Sequence, residues 1–122
     1  MARVLIVDDS PTEMFTLKSM LEAKGFEVLE AENGADGVAL AREELPDVVL
    51  MDIVMPGLNG FQATRQLTKD PKTEHIPVII VTTKDQETDK VWGQRQGAKG
   101  YLVKPVTEEQ LAETINNVIA GE

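Results

Sequence analysis

Four places along this chain put reactive side chains directly behind a short apolar run. "RVLIV" (3–7) is followed by Asp8 and Asp9, and "DVVLM" (47–51) by Asp52. "PVIIV" (77–81) is followed by Thr82 and Thr83, and "GYLVK" (100–104) ends in Lys104 with Pro105 behind it. Carboxylates, a hydroxyl and an ammonium form a set that can hold a hard cation and handle a phosphoryl group, provided the fold gathers them. Crowding the acids is costly: two unit charges about 4 Å apart repel by roughly 4 kcal/mol at an effective dielectric near 20. Lys104 offsets part of that and leaves Asp8, Asp9 and Asp52 net negative. Oxygen-only donors without a nearby histidine or cysteine favour Mg²⁺, with Mn²⁺ as the alternative. Each residue also has a plainer reading. Asp8 and Asp9 can be acids favoured ahead of a helix N-terminus, Thr82 a strand-end residue, and Lys104 a surface lysine.

Phosphoryl transfer suits this set because the transferred group needs charge neutralisation and an in-line nucleophile. Aspartate is an established covalent acceptor in such chemistry. The nucleotide-cradling pattern GxxxxGK[ST] is missing, which argues against ATP as the direct donor. Sugar hydrolysis by paired carboxylates finds little support in a chain with one Trp, one Tyr and three Phe.

Five apolar runs alternate with five helix-like segments, the fifth run being "FEVLE" (26–30). Runs rich in Val, Ile and Leu fit parallel strands covered on both faces; the 26–30 run alternates with acids and reads as an edge. "SPTE" predicts an N-cap at Ser10, with Pro11 at the first helical position and Glu13 closing a capping box. Met14, Leu17, Met20 and Leu21 follow at helical spacing, and Gly25 ends the helix. A second helix starts near Asn33 with Val38, Ala39 and Leu45 inward; a third, "NGFQATRQL", has Phe61 and Leu67 as core anchors. The fourth, over 86–96, is polar, carries a mid-helix glycine and is expected to be the least stable. The last is capped by Thr107 with Gln110, and Leu111, Ile115, Val118 and Ile119 line one stripe. Strand–helix alternation implies right-handed crossovers and a parallel sheet with helices on both faces. Ligands of such sheets bind beyond the carboxyl ends of the strands, where every candidate above stands.

Composition narrows the classes. The chain has 122 residues, 42% of them hydrophobic, with a mean hydropathy of −0.17, as expected for one globular domain. Twelve basic against 21 acidic residues give a formal charge of −9, which argues against DNA binding. No apolar run is long enough to insert in a membrane, and no secretory pattern opens the chain. Cysteine is absent, so disulfides and thiolate metal sites are excluded. The expected location is cytoplasmic.

"VLIVDDS", "VVLMDIVMPGLNG", "VIIVTT" and "GAKGYLVKP" together resemble the receiver domains of bacterial response regulators, over the entire chain. The resemblance implies a flavodoxin-like three-layer (βα)5 fold with strand order 2-1-3-4-5, as a single receiver domain over 1–122 without an output domain. It implies a signalling switch rather than an enzyme. Asp52 would take a phosphoryl group from the phosphohistidine of a histidine kinase or its phosphotransfer domain. Asp9, Asp52 and the backbone carbonyl of Val54 would bind Mg²⁺, with Asp8 acting through a metal-bound water. Lys104, preceding a cis proline bond, would pair with a phosphoryl oxygen; Thr82 would hydrogen-bond the group, and Tyr101 would swing inward as Thr82 moves. The fourth helix and fifth strand would then meet a downstream protein, or the chain would act as a phosphate sink for a sibling regulator. The stretches "VMPGLNGFQATRQLTKD" and "VTTKDQETDKVWGQRQGA" resemble, within the family, regulators of twitching motility in the chemosensory systems of type IV pili.

Two positions depart from the chemotaxis pattern: Val54 stands where asparagine is common, and Lys84 where an acid is frequent. Val54 also weakens a rival assignment as an aspartate-nucleophile phosphatase, which needs a second aspartate there. His75, in a polar loop, reads as neither ligand nor base. Trp92 reads as helix core in the first instance, and as a partner anchor in the second.

Overall fold

The computed structural model describes residues 2–121. Five strands alternate with five helices: β1 (Arg3–Val7), α1 (Pro11–Ala23), β2 (Glu27–Ala31), α2 (Gly34–Glu44), β3 (Val48–Met51), α3 (Gly60–Lys69), β4 (Val78–Thr82), α4 (Glu87–Arg95), β5 (Gly100–Val103) and α5 (Glu108–Ile119). The strands form one sheet in the order β2-β1-β3-β4-β5, all pairs parallel. Strand bounds shift from the sequence reading by a residue at most.

Alternation along each strand divides the core in two. Val4, Ile6, Leu50, Ile79 and Val81 face one layer, where Leu17 and Leu21 of α1 and Leu111 and Ile115 of α5 cover them. Leu5, Val7, Val49, Met51 and Val78 face the other, under Ala41 of α2 and Ala63 and Leu67 of α3. Both faces of β1, β3 and β4 are therefore dry, which is why those runs are continuously apolar. β2 is an edge strand, and its Glu27 and Glu30 are exposed.

Several inward-facing residues differ from the sequence reading. In α2, Ala39 and Leu45 are exposed and Val38 is only half-buried; Gly34, Gly37 and Ala41 are buried instead. Side-chain size misleads there because α2 lies close on the sheet: a Cβ at Gly37 would press on the Val7 methyls. Leu45 is the C-cap, in the left-handed region at φ 48°. Phe61 is half-buried, and Ile119 lies outside the stripe that Leu111 and Ile115 bury. The box at Ser10 closes on one side only: its hydroxyl accepts from the Glu13 N–H at 3.3 Å. Its own N–H is taken by Asp8 Oδ1 at 2.9 Å, so the Glu13 carboxylate is left for other work. Gly25 follows the α1 C-cap at φ 87°, as expected of a helix-ending glycine.

Candidate functional site

Register brings the acids together. Val7 of β1 pairs with Met51 of β3, so Asp8 and Asp52, one residue further on, leave the sheet side by side. Strand order reverses at this pair, and a crevice opens beyond the carboxyl ends. Asp9 turns over its rim. The carboxylates of Asp8, Asp9 and Asp52 each offer an oxygen within 4.8 Å of the others.

The three acids differ in surroundings. Asp8 is buried, its side chain accepting from the Ser10 N–H at one oxygen and from Lys104 Nζ at the other, at 2.7 Å. Asp52 Oδ1 accepts from the Ile53 N–H at 2.7 Å, while its Oδ2 lies 3.5 Å from Lys104 Nζ. Asp9 is exposed and opens the cluster to water. Burial pushes the Asp52 carboxyl up from its ordinary value and the Asp8 charge adds to this; Lys104, the Ile53 N–H and Thr82 oppose it. Burial pulls the Lys104 ammonium down, but Asp8, Asp52 and Glu13 outweigh it and leave the group raised. Lys104 thus stays charged, facing three acids, Glu13 being 3.7 Å away.

Lys104 reaches this position from the end of β5, where its peptide bond to Pro105 is cis, as the resemblance implied. Thr82 ends β4, fully buried, and its hydroxyl accepts from the Lys84 N–H at 3.4 Å. Thr83 is exposed. Val54 turns its side chain to water, 59% exposed, two residues beyond Asp52. Tyr101 lies on β5, and its hydroxyl donates to the Lys84 carbonyl at 2.8 Å. Burial, Asp89, Asp85 and Asp52 push its phenol up to about 12.

Sequence reasoning missed two contributors. Glu13 was assigned to helix capping, and nothing local in "SPTE" shows that Asp8 would take its place. Gly60 lets the start of α3 close on the turn after Asp52: a Cβ there would overlap the Asp52 carbonyl. Its N–H donates to the Ile53 carbonyl at 2.9 Å, and Asn59 and Gln62 form a reciprocal cap beside it. "NG" ahead of an apolar helical pattern was the available signal. Trp92 is 50% exposed, which overturns its first reading as helix core.

An all-carboxylate donor set, one member exposed, fits a hard divalent cation. With Lys104 on the far side, the same crevice can accept an anionic group against Asp52.

Residues 4–116 match the response regulator receiver domain, and the chain belongs to that family. It is 78% identical to the protein PilH of Pseudomonas aeruginosa, over 99% of this chain and 100% of that protein. Among solved structures it is similar to the chemotaxis protein CheY4 of Vibrio cholerae, with a TM-score of 0.90 and 33% identity over 97% of this chain and 98% of that one. It also resembles the receiver domain of the sensor histidine kinase PA1611 from P. aeruginosa, described with magnesium coordinated in its active-site cleft. That likeness has a TM-score of 0.91 and 27% identity, over 98% of both chains.

Proposed function

We propose that the chain is a phosphoacceptor switch in which Asp52 takes a phosphoryl group from a histidine kinase or its phosphotransfer domain. The observation that carries this reading is the register-driven meeting of Asp8, Asp9, Asp52 and Lys104 in one crevice. Asp9, Asp52 and the Val54 carbonyl would hold Mg²⁺, or Mn²⁺, and Asp8 would act through a bound water; the ion would supply charge neutralisation for the incoming group. An Asp52 carboxylate oxygen bonds to phosphorus as the phosphorus–nitrogen bond of the donor phosphohistidine breaks. The bonding pair returns to the imidazole. Lys104, held by Asp8 and Glu13, is aimed where a phosphoryl oxygen would lie, and Thr82 stands at the next strand end to hydrogen-bond another. Tyr101 then follows Thr82, and the α4–β5 face changes its fit to a downstream protein.

Adding roughly two negative charges to a site already rich in carboxylates shifts an equilibrium only as far as the two states differ in their contacts with it. Likeness to PilH, together with the two stretches that resemble regulators of twitching motility, supports a cytoplasmic role in a chemosensory pathway acting on type IV pili. Among the described residues no helix is long and apolar enough to cross a membrane.

The test is direct labelling. Incubation with Mg²⁺ and a small phosphodonor is expected to give one acid-labile, base-labile acyl phosphate that maps to Asp52, and chelation of the divalent ion is expected to abolish it. Label at any other residue, or undiminished label after chelation, removes the assignment.

A further inference from the structure

We propose that the groove between α3 and α4, walled by Trp92 and flanked by Arg65 and Arg95, docks an acidic segment of a partner protein that inserts an apolar side chain. This goes beyond the phosphoacceptor reading and does not rest on it, since the surface is present without any modification.

Three observations carry the proposal. The first is a stripe turned the wrong way for a core. Thr88, Val91, Trp92 and Arg95 share one face of α4 by helical spacing, yet Val91 is 41% and Trp92 50% exposed. The residue that seats the helix is Gly93, against Ile80 and Tyr101. Trp92 therefore contributes little to holding α4 on the sheet. A half-exposed Trp between arginines has the composition of an interface anchor.

The second is shape. Trp92 separates two grooves. One, of about 440 Å³, runs toward α3 over Phe61, Gln62 and Arg65. The other, of about 340 Å³, runs along the outer side of α4 past Glu87, Val91 and Arg95. An apolar side chain can enter the α3 side against Trp92 and Phe61 while the segment bearing it lies across the indole.

The third is charge, and it decides the occupant. Of the residues lining the two grooves, Arg65 and Arg95 are basic and Glu87 alone is acidic, whereas the chain outside residues 60–104 carries four Lys and Arg against sixteen Asp and Glu. Arg65 and Arg95 are both exposed. Among the described residues, neither has a carboxylate within ion-pair distance. A molecule of charge −9 thus places two arginines without ion pairs in the grooves on either side of its single indole. A basic or nucleic-acid partner gains nothing there: the arginines repel the first, and the acidic body of the molecule repels the second. An acidic segment is drawn to this side and repelled by the rest, which fixes orientation as well as rate. The docking face lies on the α3 side of α4, opposite the α4–β5 groove lined by Lys90, Lys99 and Tyr101.

Selection from a random displayed-peptide library against the unphosphorylated chain tests this. Enriched peptides are expected to combine Asp or Glu with a Leu or aromatic residue. They should shift the fluorescence of Trp92, the single Trp, and weaken as salt rises. Binding to R65E/R95E should fall at least about tenfold, equivalent to 1.4 kcal/mol, and W92A should bind no better. All three positions are exposed, so the variants should keep the native melting temperature, which circular dichroism checks. Basic or uncharged consensus peptides, no enrichment, or binding undiminished in R65E/R95E would each overturn the proposal. So would amide shifts confined to the Lys99–Tyr101 side. A salt-sensitive dimer of the native chain in sedimentation, lost in R65E/R95E, would replace the partner protein with a second copy of this chain. Failure of Asp52 labelling would leave all of these outcomes unaffected.

Discussion

The two helices that flank the carboxyl end of β4 are attached in opposite ways. α3 buries Gly60, Ala63, Thr64 and Leu67 and starts by closing on the Asp52 backbone. α4 buries Gly93 alone, and at that glycine lies against the end of the Ile80 side chain and the Tyr101 ring. The acids therefore sit on a frame that cannot shift without opening the core, while the element beyond Thr82 is held by few apolar contacts. A switch needs both. The phosphoryl transfer proposed for Asp52 requires fixed geometry, and a signal requires an element whose alternatives differ by little free energy. Regions with few buried contacts are the ones that open locally at low cost.

The sharpest way to break this contrast is to remove the proposed nucleophile and ask whether the frame notices. Asp52→Asn is expected to lose all phosphoryl labelling. It is also expected to be no less stable than the native chain near neutral pH. The sign follows from the raised Asp52 carboxyl: an acid whose folded value exceeds its unfolded one binds its proton more readily when folded. Its charge then opposes folding once pH exceeds the unfolded value, and an uncharged amide removes that opposition. Urea unfolding monitored by circular dichroism checks it; a variant markedly less stable would mean that Asp52 is a structural ion-pair partner rather than a strained acid.

A pair of glycine substitutions sharpens the comparison at smaller amplitude. Gly60→Ala places a methyl group on backbone that cannot yield, so a loss of about 1–3 kcal/mol or more is expected. Gly93→Ala presses on the flexible end of Ile80 and reaches the Tyr101 ring only at ordinary contact distance. Its helix-propensity gain of up to about 1 kcal/mol offsets the contact, so its net change is expected to be well below that of Gly60→Ala. Equal losses at the two sites would show that α4 is seated as firmly as α3. Native-state hydrogen exchange supplies the parallel test: α4 amides should exchange faster than those of α3.

How much of this was legible beforehand follows the same division. The strand runs, their order by resemblance and the chemistry at their ends were readable because continuous Val, Ile and Leu leave few alternatives for β1, β3 and β4. Asp8, Asp52 and Lys104 announce themselves as charges placed directly behind such runs. What remained hidden was set by close approach and competition. Gly37 and Gly60 matter for the side chains they lack, so α2 was read from Ala39 and Leu45, which face water. Glu13 was read as a cap because the spacing fits; only the fold shows that Asp8 reaches the Ser10 N–H first and frees Glu13 to face Lys104. Trp92 misled in the other direction, since an apolar residue within a polar helix ordinarily faces inward.

The smallest effect is also the most local. Tyr101 is the only tyrosine, so phenolate absorbance after a rapid pH jump follows this one group before the chain unfolds. Its midpoint is expected near 12 rather than the ordinary 10.0, because burial, then Asp89 and Asp85, disfavour the phenolate. The hydroxyl must also keep its proton to donate to the Lys84 carbonyl. With the folded value above the unfolded one, the stabilisation is complete below about pH 10 and is lost as pH rises through 12. Asp89→Asn should lower the midpoint without changing the labelling of Asp52, since Asp89 belongs to α4 and not to the acidic crevice. A native midpoint near 10 would place the ring in water, and α4 would then lack one of the few contacts that hold it against β5.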